Sequence, residues 1–187
     1  MIQPNYILQR NPFEHLAKMA DFTKIYRQDT YATLASSAPA NSQKGRTVVV
    51  AGASSGIGFA IARSFRDAGA ERLIILGRTQ KTLNEAASKL GAEARVCDIS
   101  KAASISSFWD GLRAEGVHVD TLVLNAALTI ATPTLQTNID DIWKSFEINV
   151  RSLLEMTQHF IAQMGDKKGH VSGQSLNTSW SAANIPI

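Results

Sequence analysis

T-V-V-V-A-G-A-S-S-G-I-G, residues 47–58, is the stretch of sequence that decides the fold. Val48, Val49 and Val50 are β-branched, which favours a strand buried on both faces. The three glycines that follow permit backbone torsions and close approaches that a Cβ atom would prevent. Beyond them, apolar residues recur with a helical period over residues 56–68: Ile57, Ile61, Ala62 and Phe65. The stretch predicts a buried strand, a glycine turn and a helix.

The predicted turn has the chemistry of a phosphate-binding loop. The first amides of a helix lack intrahelical partners and carry about half a positive charge, which suits a dinucleotide pyrophosphate. A P-loop needs Lys and then Ser or Thr after its last glycine, whereas Phe59 and Ala60 follow Gly58, so that class is excluded. An ordinary glycine-rich turn without a ligand stays open at this point.

The remaining pattern alternates strands with helices. Strands are predicted at 72–76, 94–97 and 121–124, and helices at about 80–90 and 101–115. A long helix over 139–164 and a less regular strand around 170–177 follow. This alternation predicts an α/β fold with a doubly wound parallel sheet of the Rossmann type.

The long helix over 139–164 carries an apolar stripe that is expected to face the sheet or a partner: Ile142, Phe146, Val150, Leu153, Phe160 and Met164. Asn149 lies beside this stripe. A partly buried amide there needs hydrogen-bond partners, because leaving it without them costs about 1–3 kcal/mol.

Composition narrows the class of protein. The 187 residues are 44% hydrophobic and 19% charged, as in a soluble globular domain. We expect an arm or linker over 1–45 and a nucleotide-binding domain over 46–187. The net charge is +3, but the basic residues are scattered, so a nucleic-acid partner is not expected.

Other classes of site are not expected. The four histidines lack ligand spacing, so no metal site is predicted. No apolar run of about 18 residues and no leader pattern occur, so no membrane span or signal peptide is predicted. Cys97 is the single cysteine, which favours a reducing compartment, and the expected location is cytoplasmic.

Four segments together resemble the ordered motifs of the short-chain dehydrogenase/reductase family: residues 51–58, Asp98-Ile99, Asn125-Ala126-Ala127 and Asn149-Val150. The resemblance covers about residues 44–187 and implies a nicotinamide dinucleotide lying across the carboxyl ends of the strands. It implies phosphate contacts from six residues: Gly52, Ser54, Ser55, Gly56, Ile57 and Gly58. It also implies that Asp98 and Ile99 meet the adenine and that Asn125 and Ala126 pass the adenine-side ribose. Without the other motifs, Asp98 could equally be an acidic residue that ends a strand or caps a helix, with no role in binding.

The choice of cofactor depends on the end of the second strand. A carboxylate there would bind the adenosine ribose and repel a 2′-phosphate, but the position is Gly77, and Arg78 follows it. A guanidinium can form charge-assisted hydrogen bonds to a phosphate, which favours NADP(H) over NAD(H). The alternative is a surface arginine at a helix start.

The family resemblance implies catalysis by Asn, Ser, Tyr and Lys, with the lysine lowering the pKa of a tyrosine four residues before it. Asn149 matches the asparagine. Trp180 stands where the serine is expected, Ser179 and Ser181 flank it, and Ser179 is predicted to take that role. The only tyrosines are Tyr6, Tyr26 and Tyr31, and none begins a Tyr-x-x-x-Lys motif. We therefore expect a chain truncated before that motif.

The expected function is NADP(H)-dependent hydride transfer between an alcohol and a ketone or aldehyde, with a small-molecule substrate. The alternative is a catalytically inactive NADP(H)-binding module or a truncated fragment. The resemblance also implies a homo-oligomer formed through the helix over 139–164, since the family commonly dimerises through such helices.

Overall fold

The computed structural model describes residues 31–130, 136–163 and 174–177. Five strands lie in chain order: β1 Thr47–Ala51, β2 Arg72–Gly77, β3 Glu93–Val96, β4 Thr121–Leu124 and β5 Gln174–Asn177. Five helices accompany them: α1 Gly56–Asp67, α2 Gln80–Leu90, α3 Ala102–Ala114, α4 Ile139–Phe146 and α5 Ser152–Ala162. The predicted bounds agree to within a residue or two through β4. For the predicted fifth strand, residues 174–177 are described and 170–173 are not.

The strands form one parallel sheet in the order β3-β2-β1-β4-β5. Val49 in β1 lies opposite Ile74 in β2 on one side and Leu122 in β4 on the other. The chain therefore winds outward from β1 in both directions, and the predicted doubly wound, Rossmann-like sheet is confirmed.

Both faces of the sheet are covered, because successive side chains of a strand point to opposite faces. Val48 and Val50 pack with residues of α1 and α2, whereas Val49 and Ala51 pack with residues of α3 and α5. These four β1 side chains are at most 1% exposed. Their burial explains why this strand reads as a continuous apolar run rather than an alternating one.

The predicted single helix over 139–164 is wrong in one respect. A π-helical turn, Glu147–Arg151, separates α4 from α5. Such a turn inserts an extra residue, so the apolar face after it no longer follows a uniform helical period. Phe146 and Val150, predicted within the stripe, are both exposed, while Ile148 and Met156, outside it, are buried. Phe160 is buried as predicted, and Met164 lies outside the described residues.

Ion pairs link the edge strand β3 to β2 and to the residue that follows α3. Arg72 contacts Glu93 at 2.7 Å and Glu115 at 3.1 Å, and Arg95 also pairs with both carboxylates. The hydrogen bond from Arg72 lowers the pKa of Glu115, outweighing the effect of its burial, and Arg95 adds to this. The cluster is a third exposed, so its stabilising effect is modest, but charges also protect an edge strand from pairing with other chains.

Residues 31–45 contain two short 3-10 turns, Ala32–Leu34 and Pro39–Asn41. The Asn41 side chain joins the turns by donating to the Thr33 and Ala35 carbonyls, each at 2.9 Å. The Gln43 backbone N–H donates to the Ala68 carbonyl at 2.9 Å. The proposed division between 45 and 46 stays a prediction, since residues 1–30 lie outside the described residues.

Candidate functional site

A cavity of roughly 570 Å³ opens at the carboxyl ends of β1 to β4. The winding direction of the sheet changes between β1 and β4, and ligands of open α/β sheets bind in the crevice at that point. The volume is within the usual range for ligand sites. The predicted cofactor residues that line it are Gly52, Ser54, Ser55, Ile57, Arg78, Asp98, Ile99, Asn125 and Ala126.

The glycine turn is packed tightly against the loop that follows β4. Gly52 has a φ of +76°, and a Cβ atom there would lie 2.8 Å from the Ala126 Cα. A Cβ on Gly58 would lie 2.2 Å from the Gly52 carbonyl oxygen. The Asn125 side-chain amide donates to that same oxygen at 3.2 Å. Gly58 therefore acts by close packing rather than by lining the cavity.

The start of α1 lies beside the cavity and has backbone amides without intrahelical partners. Ser55 is its N-cap residue, yet the Ser55 side chain makes no capping hydrogen bond. The Phe59 N–H bonds to the Ser55 carbonyl, so the amides of residues 56–58 precede the first intrahelical bond. Gly56 has a φ of +59°, with open space where its Cβ would be. Backbone amides and two serine hydroxyls thus meet at the positive end of the helix dipole, which suits an anion.

Arg78 and Asp98 add one positive and one negative charge to the cavity lining. Burial alone would raise the pKa of Asp98, but hydrogen bonds from Ser100 and the positive charges of Lys101 and Arg78 outweigh it. The pKa of Asp98 therefore lies below its ordinary value of 3.8, and the carboxylate is ionised at neutral pH. The cavity can therefore accept hydrogen bonds through Asp98 and bind an anion through Arg78.

Seven lining residues were not among the predicted cofactor residues: Leu76, Gly77, Cys97, Ser100, Ala127, Leu128 and Ile148. Cys97 is 2% exposed, and burial raises the pKa of its thiol, so the sulfur is protonated and apolar in character. Its position directly before Asp98 at a strand end was the available signal. The inward orientation of Ile148 depends on the π-helical turn, which no local pattern showed.

Asn149 does not line the cavity, but its side chain binds the backbone of Leu128, which does. Its Oδ1 accepts from the Leu128 backbone N–H at 2.8 Å, and its Nδ2 donates to the Leu128 carbonyl at 2.7 Å and to the Ser145 hydroxyl at 3.0 Å. The side-chain amide is therefore engaged with protein groups, as its partial burial required. Its predicted catalytic role stays a prediction, as does that of Ser179, which lies outside the described residues.

One protein family and several known proteins are similar in sequence to this chain. The family described as short chain dehydrogenase matches residues 46–186. A short-chain type dehydrogenase/reductase of Sinorhizobium fredii is 37% identical over 125 residues, which cover 66% of this chain and 48% of that protein. The sorbose reductase of Schizosaccharomyces pombe is 34% identical over 108 residues, covering 54% of this chain and 42% of that protein.

Solved structures show the same architecture. The Pseudomonas aeruginosa RhlG/NADP active-site complex is 27% identical and superimposes with a TM-score of 0.61, covering 64% of this chain and 48% of that chain. The chain thus spans about half the length of the curated relatives it matches.

Proposed function

Because the chain belongs to the short-chain dehydrogenase family, we propose that it binds NADP(H) for hydride transfer between an alcohol and a ketone or aldehyde. The observation that carries the proposal is the cavity at the change of winding direction, bordered by the glycine turn and by Arg78. The chemistry of the whole protein is part of the proposal, since the chain spans about half the length of its relatives.

The residues present fit a dinucleotide. The pyrophosphate would be held by the first amides of α1 with the Ser54 and Ser55 hydroxyls, while Gly52 and Gly58 keep the turn close to the sheet. Arg78 would bind the 2′-phosphate, and Asp98 would face the adenine. When bound, the nicotinamide would supply or accept the hydride. One structural neighbour is itself named as an NADP complex, which supports the choice of cofactor.

Arg78→Asp is expected to move the preference of the site from NADPH toward NADH. The variant removes a charge-assisted hydrogen-bond donor and places a carboxylate where it repels the 2′-phosphate and accepts from the ribose. The ratio of the two dissociation constants should change by about 100-fold, since two interactions of about 1.4 kcal/mol each are altered. Both constants are measured by titration of the purified chain with each reduced dinucleotide.

Arg63→Asp is the matched control, because Arg63 is an exposed arginine of α1 that does not line the cavity. It makes the same change of charge and should leave the ratio within about twofold, as screening predicts for distant surface charges. An unchanged ratio in Arg78→Asp would contradict the assignment of NADP(H).

Binding without turnover is the second candidate function. It is supported by the sequence, because none of the three tyrosines begins a Tyr-x-x-x-Lys motif within the 187 residues. Incubating the chain with NADPH and a panel of ketones and aldehydes distinguishes the two candidate functions. Loss of NADPH absorbance supports the oxidoreductase, whereas tight NADPH binding with no loss supports the binding module.

We also propose that a second copy of the chain packs on α4 and α5. Large apolar side chains are exposed there at spacings of three, four and seven residues: Ile139, Trp143, Phe146, Val150, Leu154 and Ile161. Trp143 and Phe146 lie with ring centroids 5.7 Å apart. Large apolar side chains exposed on both helices and on the π-helical turn between them are typical of a protein–protein interface.

Trp143→Glu is expected to convert the dimer to a monomer at micromolar concentration. Trp143 is 62% exposed in the single chain, so the substitution leaves the core intact while burying a charge in the interface. Light scattering after size exclusion measures the mass. Asn84→Glu adds the same charge to α2 on the other side of the sheet and should leave the mass unchanged; a dimer that survives Trp143→Glu would exclude this interface.

A location in the reducing cytoplasm is proposed as well. The chain has one cysteine, Cys97, which is buried and has no second cysteine with which to pair. Within the described ranges, no helix is both long and apolar enough to cross a bilayer.

A further inference from the structure

A second cavity, of roughly 490 Å³, lies between residues 34–43 and the carboxyl-terminal half of α1. This cavity, the arm groove, is lined by Leu34, Ala35, Ser36, Asn41, Gln43, Ser64, Phe65 and Ala68. None of these described lining residues is charged, and Leu34 is 58% exposed. Phe65 also packs against the core cluster between α1 and the sheet. An uncharged concave surface with exposed apolar side chains is typical of a docking site.

Hydrogen bonds hold the two sides of the arm groove in place. The Asn41 side chain donates to the Thr33 and Ala35 carbonyls, each at 2.9 Å. The Gln43 side chain donates to the Asn41 carbonyl at 3.1 Å, and the Gln43 backbone N–H donates to the Ala68 carbonyl at the end of α1 at 2.9 Å. The groove is therefore formed before anything enters it, which lowers the entropic cost of docking.

Residues 12–20, which lie outside the described ranges, have the sequence pattern of a short amphipathic helix. Asn11 is a favourable N-cap, Pro12 suits the first helical position, and Glu14 follows the cap by three residues. Apolar residues then recur at helical spacing in one stripe: Phe13, Leu16, Ala17 and Ala20. A helix this short is marginal in water unless a surface covers its apolar stripe.

We propose that the apolar stripe of residues 12–20 packs into the arm groove of the same chain. Residues 21–30 separate the stripe from Tyr31, and ten residues span up to about 35 Å when extended, so the stripe can reach the groove. Tethering gives the stripe an effective concentration in the millimolar range, which favours it over a second copy at micromolar concentration. The apolar stripe also matches the uncharged lining of the groove.

A disulfide between two engineered cysteines tests this contact in the full chain. Leu16→Cys combined with Ser64→Cys should form an intramolecular disulfide in a glutathione redox buffer, because Ser64 is an exposed residue that lines the groove. Lys18→Cys combined with Ser64→Cys is the matched control, since residues two apart on a helix point to different sides. The first pair should oxidise about tenfold faster than the control, as proximity raises the effective concentration. Cys97 is 2% exposed and should not compete.

A charge placed in the arm groove provides the second test. Leu34→Asp, added to the Leu16→Cys, Ser64→Cys chain, should slow disulfide formation about tenfold, because docking would bury an unpaired carboxylate. Val96→Asp makes a similar change at a residue that is 47% exposed and is not in the groove lining, and it should leave the rate unchanged. Urea denaturation checks that both variants are folded.

Mass measurement without reductant then distinguishes the possible occupants of the arm groove. A disulfide-linked monomer from the Leu16→Cys pair, formed faster than in the Lys18→Cys control and slowed by Leu34→Asp, supports the proposal. Equal rates in the two cysteine pairs, or no effect of Leu34→Asp, overturn it. Disulfide-linked dimers in place of the linked monomer also overturn it, since they would show that a second copy occupies the groove.

Discussion

Gly58→Ala is expected to abolish NADPH binding at concentrations that saturate the unsubstituted chain. The added Cβ would lie 2.2 Å from the Gly52 carbonyl oxygen, 2.8 Å from the Gly52 carbonyl carbon and 2.5 Å from the Asn125 Nδ2. Two of these atoms are backbone, so relief requires the glycine turn to move away from α1. Overpacking of this kind costs about 3 kcal/mol or more, which corresponds to an affinity loss of about 100-fold if it falls on the bound state.

Gly58→Ala is also expected to lower the free energy of unfolding. The same turn is fastened to the loop after β4 by the Asn125 to Gly52 hydrogen bond, so moving it loosens two strand ends at once. Binding is measured by calorimetry and the free energy of unfolding by urea denaturation. The prediction fails if Gly58→Ala retains both the affinity and the stability of the unsubstituted chain.

Alanine substitutions at two other glycines are the controls for Gly58→Ala. They distinguish the steric clash at Gly58 from the general effect of replacing a glycine by alanine. Gly111 lies inside α3 with nothing near its would-be Cβ, so Gly111→Ala should stabilise the chain by about 0.5–1 kcal/mol and leave binding unchanged. Gly56 also has open space but a φ of +59°, so Gly56→Ala should cost about 1–2 kcal/mol through backbone torsion alone. The order of stability should be Gly111→Ala, then Gly56→Ala, then Gly58→Ala.

Asn149→Leu is expected to destabilise the chain by about 2–4 kcal/mol, because it leaves the N–H and carbonyl of Leu128 without their side-chain partner. Leucine has a similar size, so the effect comes from the lost hydrogen bonds rather than from a void. Leu128 and Ile148 both line the cavity, so NADPH binding should weaken as well. Urea denaturation and calorimetry measure the two effects.

Asn84→Leu is the control for this substitution. Asn84 is an exposed residue of α2 whose side chain accepts a hydrogen bond from Gln80, and its replacement should cost no more than about 0.5 kcal/mol. Asn149→Asp adds a second test, since it keeps an acceptor for the Leu128 N–H but turns a carboxylate toward the Leu128 carbonyl. A loss in Asn149→Leu no larger than in Asn84→Leu would show that the Leu128 contacts contribute nothing.

Much of the site was predictable because its signals are local. Val48 to Gly58 combine β-branching, glycine torsions and a helical period, each of which acts over a few residues. Asn125 directly follows β4 and Asp98 lies two residues beyond β3, and the carboxyl ends of parallel strands meet at one edge. The structure places nine of the eleven predicted cofactor residues around one cavity, and Gly56 and Gly58 are the two that do not line it.

The errors arise where a distant contact overrides a local pattern. The apolar stripe of the long helix assumed a uniform period, whereas the π-helical turn moves Ile148 inward and Phe146 outward. Asn149 within that turn bonds a backbone 21 residues earlier in the chain. The packing energy of such a contact does not appear in any single window of sequence.

The sequence alone therefore determined the order of strands and helices and the position of the glycine turn, because periodicity and torsional preference are properties of neighbouring residues. Tertiary structure decided that Gly58 packs tightly whereas Gly56 faces open space. It also decided that Ser100 donates to Asp98 and that the Asn149 side chain binds the Leu128 backbone. The physical reason is distance along the chain. Gly52 and Asn125 meet across 73 residues, and only the folded sheet brings them into contact.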